Sequence, residues 1–465
     1  MAEEFDTIII GAGMSGLAAG IRLAYYDQRV CILERHTTIG GLNSFYRMNR
    51  RDHDVGLHAV TNFTEKGAKK GPLSRILRQL RMKWEDFALA EQRGSSICFP
   101  DARLEFDNRI ETLLDSVASV FPGQQDALRR LTNEITDYDD LDQSMFEISA
   151  RERLATIITD PMLREMLLCP LMWYGNPREH DMAWAQFCIM FRSIFLEGFA
   201  RPYKGVRLIL KHLVKKFRGL GGKLMLRSGV SRILTDGNRA VAVRLDDGRE
   251  LTGKRVLSSA GHVETLRMVD NTSEPDPRIA GQMTFIEAIS VLNCQPASIG
   301  FDRTIVFFND SPVFNWTPPK DDFCDLRTGV ICSPNNYAYT PEEGELSEGV
   351  IRVTAIASFD RWNALVPEDY ARAKLRWYDR TMESCVRFMP DFRSRVIDTD
   401  LFTPTTIRRF TWHDNGAVYG APDKSLDGTT HLENMFLCGT DQGFVGIVGA
   451  MMSGISMANM HCLKD

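Results

Sequence analysis

A glycine turn set between two short apolar runs constrains this chain more than any other feature. Phe5 to Ile10 is apolar and ends at Gly11, the pattern of a strand buried in a parallel sheet. Gly11, Gly13 and Gly16 then form G-x-G-x-x-G, and Leu17 to Tyr25 reads as a helix rich in small residues. Val30 to Leu33 is a second apolar run, ending at Glu34, 18 residues after Gly16. Strand, glycine turn, helix and strand make one βαβ unit, the arrangement that binds a dinucleotide. Each part has a physical reason. Gly11 allows the tight turn, Gly13 lets backbone approach a pyrophosphate, and Gly16 lets helix and strand pack closely. The phosphate charge is expected at the helix N-terminus, beside Met14 and Ser15. Glu34 can accept hydrogen bonds from ribose hydroxyls, and its charge would repel a 2′-phosphate, which disfavours NADP.

The residues that follow argue for a longer ligand. Glu34-Arg35 precedes Gly40-Gly41-Leu42-Asn43-Ser44. A second glycine pair just past the ribose carboxylate brings Gly41, Leu42 and Asn43 against the same ligand and points to FAD in place of NAD. There is no second G-x-G-x-x-G. Gly219-Leu220-Gly221-Gly222 follows a helix and reads as its stop. NAD(P)H therefore has no built-in seat, and electrons are expected to pass between the substrate and an external partner: a quinone, oxygen or a small reductant.

With 465 residues, 44% of them hydrophobic, the chain exceeds one ordinary core, so two domains are expected. Its net charge of −5 and scattered basic residues give no reason to expect nucleic acid. Ten cysteines lie along the chain with no C-x-x-C pair and no Cys/His cluster at metal spacing. Reduced thiols in a cytosolic protein are the expectation, with no metal and no covalent flavin link. The acidic start Met1 to Asp6 lacks a signal-peptide pattern. No apolar run reaches the ~18 residues that would span a bilayer. A cytoplasmic location is expected, with peripheral membrane contact left open.

Farther along, Arg109 to Phe121 and a stretch from Asp126 have helical spacing. Val206 to Phe217 reads as an amphipathic helix. Short strands follow near Val230, Ala240 and Glu250, turned by Asp236-Gly237 and Asp247-Gly248. Later strands are expected at Thr284 to Leu292 and Val350 to Ala357, a helix after Pro367, a strand at Met435 to Cys438 and a last helix from Gly446 to Met460.

Four ordered segments resemble the amine-oxidase-like FAD superfamily, in its branch of phytoene desaturases, carotenoid isomerases and retinol saturases. The first is Gly11 to Ser44. The second is Asp54-Val55-Gly56-Leu57-His58, similar to a D-x-G-x-H stretch beside the flavin. The third runs from Tyr203-Lys204-Gly205 to Ala260 and includes Val230 on a strand touching adenine; Lys204 stands where the family often has glycine. The fourth joins Thr403-Pro404-Thr405-Thr406 and Gly416 to Gly420 with Leu437 to Asp441 and Gly443 to Ala450. The resemblance places Gly439 and Asp441 at the ribityl and phosphate, and Gly446 and Val448 at a helix start facing the flavin pyrimidine edge, where N–H groups favour negative charge. It covers about half the chain. It implies an α/β protein: a discontinuous Rossmann-like FAD domain from residues 1–80, 200–270 and 400–465, interleaved with an α+β substrate domain from 81–199 and 271–399.

By that resemblance His58 is the titratable candidate beside the flavin, to donate a proton or to hold backbone. His413, between the two C-terminal motifs, reads as a loop histidine. The Met- and aromatic-rich stretch from Met162 to Phe199 reads either as ordinary core or as a tunnel for an apolar chain. Within it, Phe191 to Leu196 could also face lipid. The expected activity is FAD-dependent desaturation, saturation or isomerisation of a polyene or isoprenoid lipid. An amine oxidase and a non-catalytic FAD-bound lipid binder are the alternatives.

Overall fold

A computed structural model describes residues 3–56, 58–138, 147–270 and 272–463; Leu57 lies outside them. The βαβ unit forms as its pattern requires. The strand Glu4–Ile10 runs parallel to Val30–Leu33, with Ile8 beside Cys31 and Ile10 beside Leu33, and the helix Met14–Ala24 connects them. Glu250–Ser258 flanks Glu4–Ile10 on its other side, also parallel. Its first residues pair antiparallel with Arg239–Leu245, and its last pair parallel with Met435–Leu437. Lys223–Met225 and Val230–Asp236 complete a seven-stranded sheet. Three distant parts of the chain thus share one sheet.

A second seven-stranded sheet runs in the order Val396–Phe402, Thr284–Leu292, Gly349–Ala357, Cys324–Cys332, Ile305–Asn309, Ser95–Phe99, Ala102–Phe106. Thr284–Leu292 is buried at every position, as a central strand covered on both faces should be. This α/β architecture, a Rossmann-like sheet beside a substrate-side sheet with helices, is the one expected from the motifs.

Close packing fixes the glycine positions. A Cβ on Gly16 would lie 2.1 Å from the Gly11 carbonyl oxygen, so only glycine lets the helix approach the turn. A Cβ on Gly454 would lie 2.0 Å from the Ser15 carbonyl oxygen, so the last helix, Gly446–Met457, packs on the first through a bare backbone face.

The Met162–Phe199 stretch is mainly core. Met166, Leu167, Leu168, Phe187, Phe191 and Phe195 are buried in one cluster. The lipid-facing reading of Phe191 to Leu196 is corrected: Phe191, Ile194 and Phe195 are at most 1% exposed, turned inward where the chain forms a short π-helix at Arg192–Leu196. All ten cysteines are free, and all but Cys294 are buried. No helix among the described residues is long and apolar enough to cross a membrane.

Gly16→Ala should cost at least about 1–3 kcal/mol in denaturant unfolding, because neither backbone can yield. Gly219→Ala should instead gain about 0.5–1 kcal/mol, since a Cβ on that helical residue meets nothing within 4 Å. Equal effects at both positions would contradict the packing.

Candidate cofactor and substrate site

A cavity of about 780 Å³ opens between the two sheets, within the size range of small-molecule sites. One end is a backbone cradle. Gly40 N–H donates to the Ala12 carbonyl at 2.9 Å, and Gly13 and Gly40 form a β-bridge. The two glycine segments therefore build one surface. Gly40 needs its φ of +110°, and a Cβ there would strike Ser44 and Asn43 backbone at 2.8–2.9 Å. Gly13 and Gly41 are different. Their nearest neighbours to an added Cβ lie 4.0 and 3.9 Å away, so packing does not demand glycine at Gly13, whose φ of −75° suits any residue. The first helix begins at Met14 with no side-chain cap and no acid in its first turn, which leaves N–H donors for an anion. Open glycines beside uncapped donors fit a dinucleotide phosphate.

Met14, Ser15, Leu42 and Asn43 line the cavity, as do Gly11, Gly13, Gly41 and Glu34. Glu34 accepts from Ala12 N–H at 2.9 Å through one oxygen and from His36 N–H at 2.8 Å through the other. It tightens the glycine turn and still borders the cavity. Arg35 donates to the Val230 carbonyl at 2.6 Å, pairs with Asp246 at 2.9 Å and stacks 4.3 Å from the Trp412 ring. Phe410 packs edge-on against His36 at 4.7 Å. Arg35, Val230, Phe410 and Trp412 all line this end; the two aromatics could not be assigned to it from sequence, because they lie some 375 residues away from Arg35.

Gly439 and Gly446 line the cavity from the C-terminal segment. Gly446 has a φ of +74° and starts the last helix, again with no side-chain cap. Three expected positions do not line it. Gly16 sits in the helix–strand contact described above. Val448 is 1% exposed and packs into the core; Ile447 and Ala450 face the cavity in its place. Asp441 is buried, its oxygens accepting from His262 N–H at 2.5 Å and Ala421 N–H at 2.6 Å. A Cβ on Gly420 would overlap the Asp441 carboxylate, so Asp441 clamps loops behind the site.

His58 lines the cavity where the second sheet faces it. Its approach is fixed from several sides. Asp54 pairs with Arg201 at 2.6 Å and accepts from Val206 N–H at 3.2 Å, at the start of the helix Val206–Gly219. A Cβ on Gly205 would strike the Asp54 carboxylate, which explains the glycine. Tyr337 Oη donates to the His58 carbonyl at 2.8 Å. His58 Nε2 lies 3.2 Å from Glu287 Oε2 and 3.2 Å from Thr354 Oγ1. Glu287 is ion-paired with Arg352, both under 10% exposed. Burial opposes the Glu287 charge, but the Arg352 and His58 interactions outweigh it and hold the carboxyl below the usual glutamate range. Sequence reading missed this pair. Its signal is one charge in each of two apolar strands, TFIEAISVL and GVIRVTAIA.

Another part of the wall is aromatic. Trp173, Tyr174, Phe285 and Tyr419 line the cavity, with Trp173 and Phe285 ring centres 5.3 Å apart and Phe285 and Tyr419 5.8 Å apart. Of the Met162–Phe199 stretch only Trp173 and Tyr174 reach the cavity. His413 also borders it, buried, with Nδ1 3.7 Å from Glu264. It lies in a loop as expected, but with a partner. Burial works against its charge, while Glu264, Asp441 and Asp414 lift its pKa above the usual histidine value.

A family model described as flavin containing amine oxidoreductase matches residues 14–459. The chain is similar to prolycopene isomerase 2, chloroplastic, of an Oncidium hybrid cultivar, at 22% identity over 98% of this chain and 84% of that protein. It is similar to all-trans-retinol 13,14-reductase of Danio rerio, at 21% identity over 98% and 86%. Among solved structures it resembles an oxidoreductase from Methanosarcina mazei, with a TM-score of 0.67, 15% identity and coverage of 97% and 99%.

Two outcomes follow from the site. Gly13→Val should melt like the parent when both are flavin-free, yet bind FAD at least about 100-fold more weakly; unchanged affinity by titration would contradict the cradle. The raised His413 pKa means the folded state binds the extra proton more tightly than the unfolded one. That stability is complete below about pH 6.5 and lost as pH rises through the folded value. Melting temperature should fall from pH 6 to 8.5, and less so in His413→Asn.

Proposed function

We propose that this chain, which belongs to the flavin-containing amine oxidoreductase family, binds FAD non-covalently and acts on an extended apolar polyene. The observation that carries the reading is one continuous cavity with two chemically different ends. The glycine cradle, Glu34 and Arg35 suit the adenosine diphosphate half; Gly439 and the uncapped start at Gly446 suit the ribityl and flavin half. FAD supplies hydride exchange at its N5. No cysteine among the described residues lines the cavity, which supports non-covalent binding. The aromatic walls of Trp173, Phe285 and Tyr419 suit a conjugated hydrocarbon, held by dispersion and ring contacts. The names of the relatives, an isomerase of prolycopene and a reductase of all-trans-retinol, support a polyene.

The residues divide the work. The cradle binds and orients the cofactor. The aromatic walls exclude water from the reacting carbons. His58 exchanges the proton that accompanies desaturation or saturation. Electrons reach or leave the site through an external quinone, oxygen or small reductant.

Anaerobic reduction of the FAD-loaded protein, followed by titration with all-trans-retinol, prolycopene and a soluble quinone, tests the reading. A polyene should change the flavin absorbance at stoichiometric amounts. Response to simple amines with peroxide release, and none to any polyene, would contradict it.

A further inference from the structure

We infer that Arg352 and Glu287 are positioning residues that lock His58 as its Nε2–H tautomer and leave Nδ1 as the proton-exchanging atom of the site. An ionised carboxylate only accepts, and a guanidinium only donates. Arg352 donates to Glu287 through Nε and holds the buried carboxylate charged. Glu287 Oε2 lies 3.2 Å from His58 Nε2. Two lone pairs cannot face each other there, so Nε2 carries the hydrogen in the neutral ring. Thr354 Oγ1, also 3.2 Å from Nε2, can accept a share of the same hydrogen. Nδ1 then holds the ring's lone pair. Among the described residues it has no hydrogen-bond partner, and the ring borders the cavity.

A charged pair buried in two otherwise apolar strands gains little stability over apolar packing. Other contacts hold the neighbouring backbone: Arg352 donates to the Val55 carbonyl, and Tyr337 donates to that of His58. Resting on the polyene reading, the step at His58 is a single proton transfer. A substrate C–H bond breaks, its electron pair stays on the substrate, and an Nδ1–H bond forms. The imidazolium produced has Glu287 beside it to offset the charge. In the saturating direction the same proton returns from Nδ1 to carbon.

The test needs no substrate, so its failure is distinct from failure of the polyene reading. Nitrogen NMR of ¹⁵N-histidine-labelled, FAD-loaded protein, assigned with His58→Asn, reports the tautomer. A charge-assisted hydrogen bond should favour Nε2–H by more than about tenfold. In Glu287→Gln, Arg352 must take the amide oxygen, which turns the NH₂ group toward His58. Nε2 must then accept, and the hydrogen should move to Nδ1. Thr354→Val, which keeps the carboxylate, should leave Nε2–H dominant. The wild-type spectrum decides even if Glu287→Gln fails to fold. A dominant Nδ1–H form in the wild type, or an unchanged tautomer in folded Glu287→Gln, would overturn the inference.

Discussion

The contact on which the rest of the site depends is made by backbone alone: Gly40 N–H on the Ala12 carbonyl, with Gly13 bridged to Gly40. A Cβ on Gly40 would strike the Ser44 and Asn43 backbone. With glycine there, two loops 25 residues or more apart close into one surface, and Glu34 ties its near edge by accepting from Ala12 N–H. The uncapped start of the first helix then points its donors at a space where an added Cβ on Gly13 or Gly41 would meet almost nothing. Under the proposed function that open space receives the pyrophosphate of FAD, whose charge suits the free N–H donors.

From that surface the site is assembled by docking. The last helix reaches the first through Gly454 on Ser15 backbone, and Gly439 N–H donates to Ser453 Oγ at 2.8 Å. These contacts bring residues near 440 to within reach of residues near 15. The second sheet closes the far wall and contributes Glu287 and Arg352, which meet His58 there. Polar grip at one end and aromatic walls at the other are what a flavin enzyme for an apolar substrate requires.

Local patterns with a backbone cause were legible in the sequence. The βαβ unit, the Asp-Gly hairpins, the helix after Pro367 and the second glycine pair each depend on neighbouring residues, and the structure forms all of them. Side-chain direction was less legible. Val448 and Ile447 are adjacent and equally apolar, and only packing decides that Ile447 faces the cavity. Asp441 reads as a ligand group until Ala421 and His262 are seen to occupy both oxygens. Glu287 and Arg352 lie 65 residues apart and meet only through strand register, with Glu287 opposite Thr354, two residues from Arg352. Phe191 to Leu196 has the composition of a membrane face and the burial of a core, a distinction that requires the tertiary fold.

The most direct measurement is the identity and release of the bound cofactor. Protein purified without added flavin is precipitated with acid, and supernatant and pellet are analysed by mass spectrometry. Intact FAD is expected in the supernatant, one per chain, with the adenosine held as proposed at the Arg35 and Val230 end of the cavity. FMN in place of FAD, flavin retained on a peptide, or no nucleotide from a protein that also fails to take up FAD would contradict it.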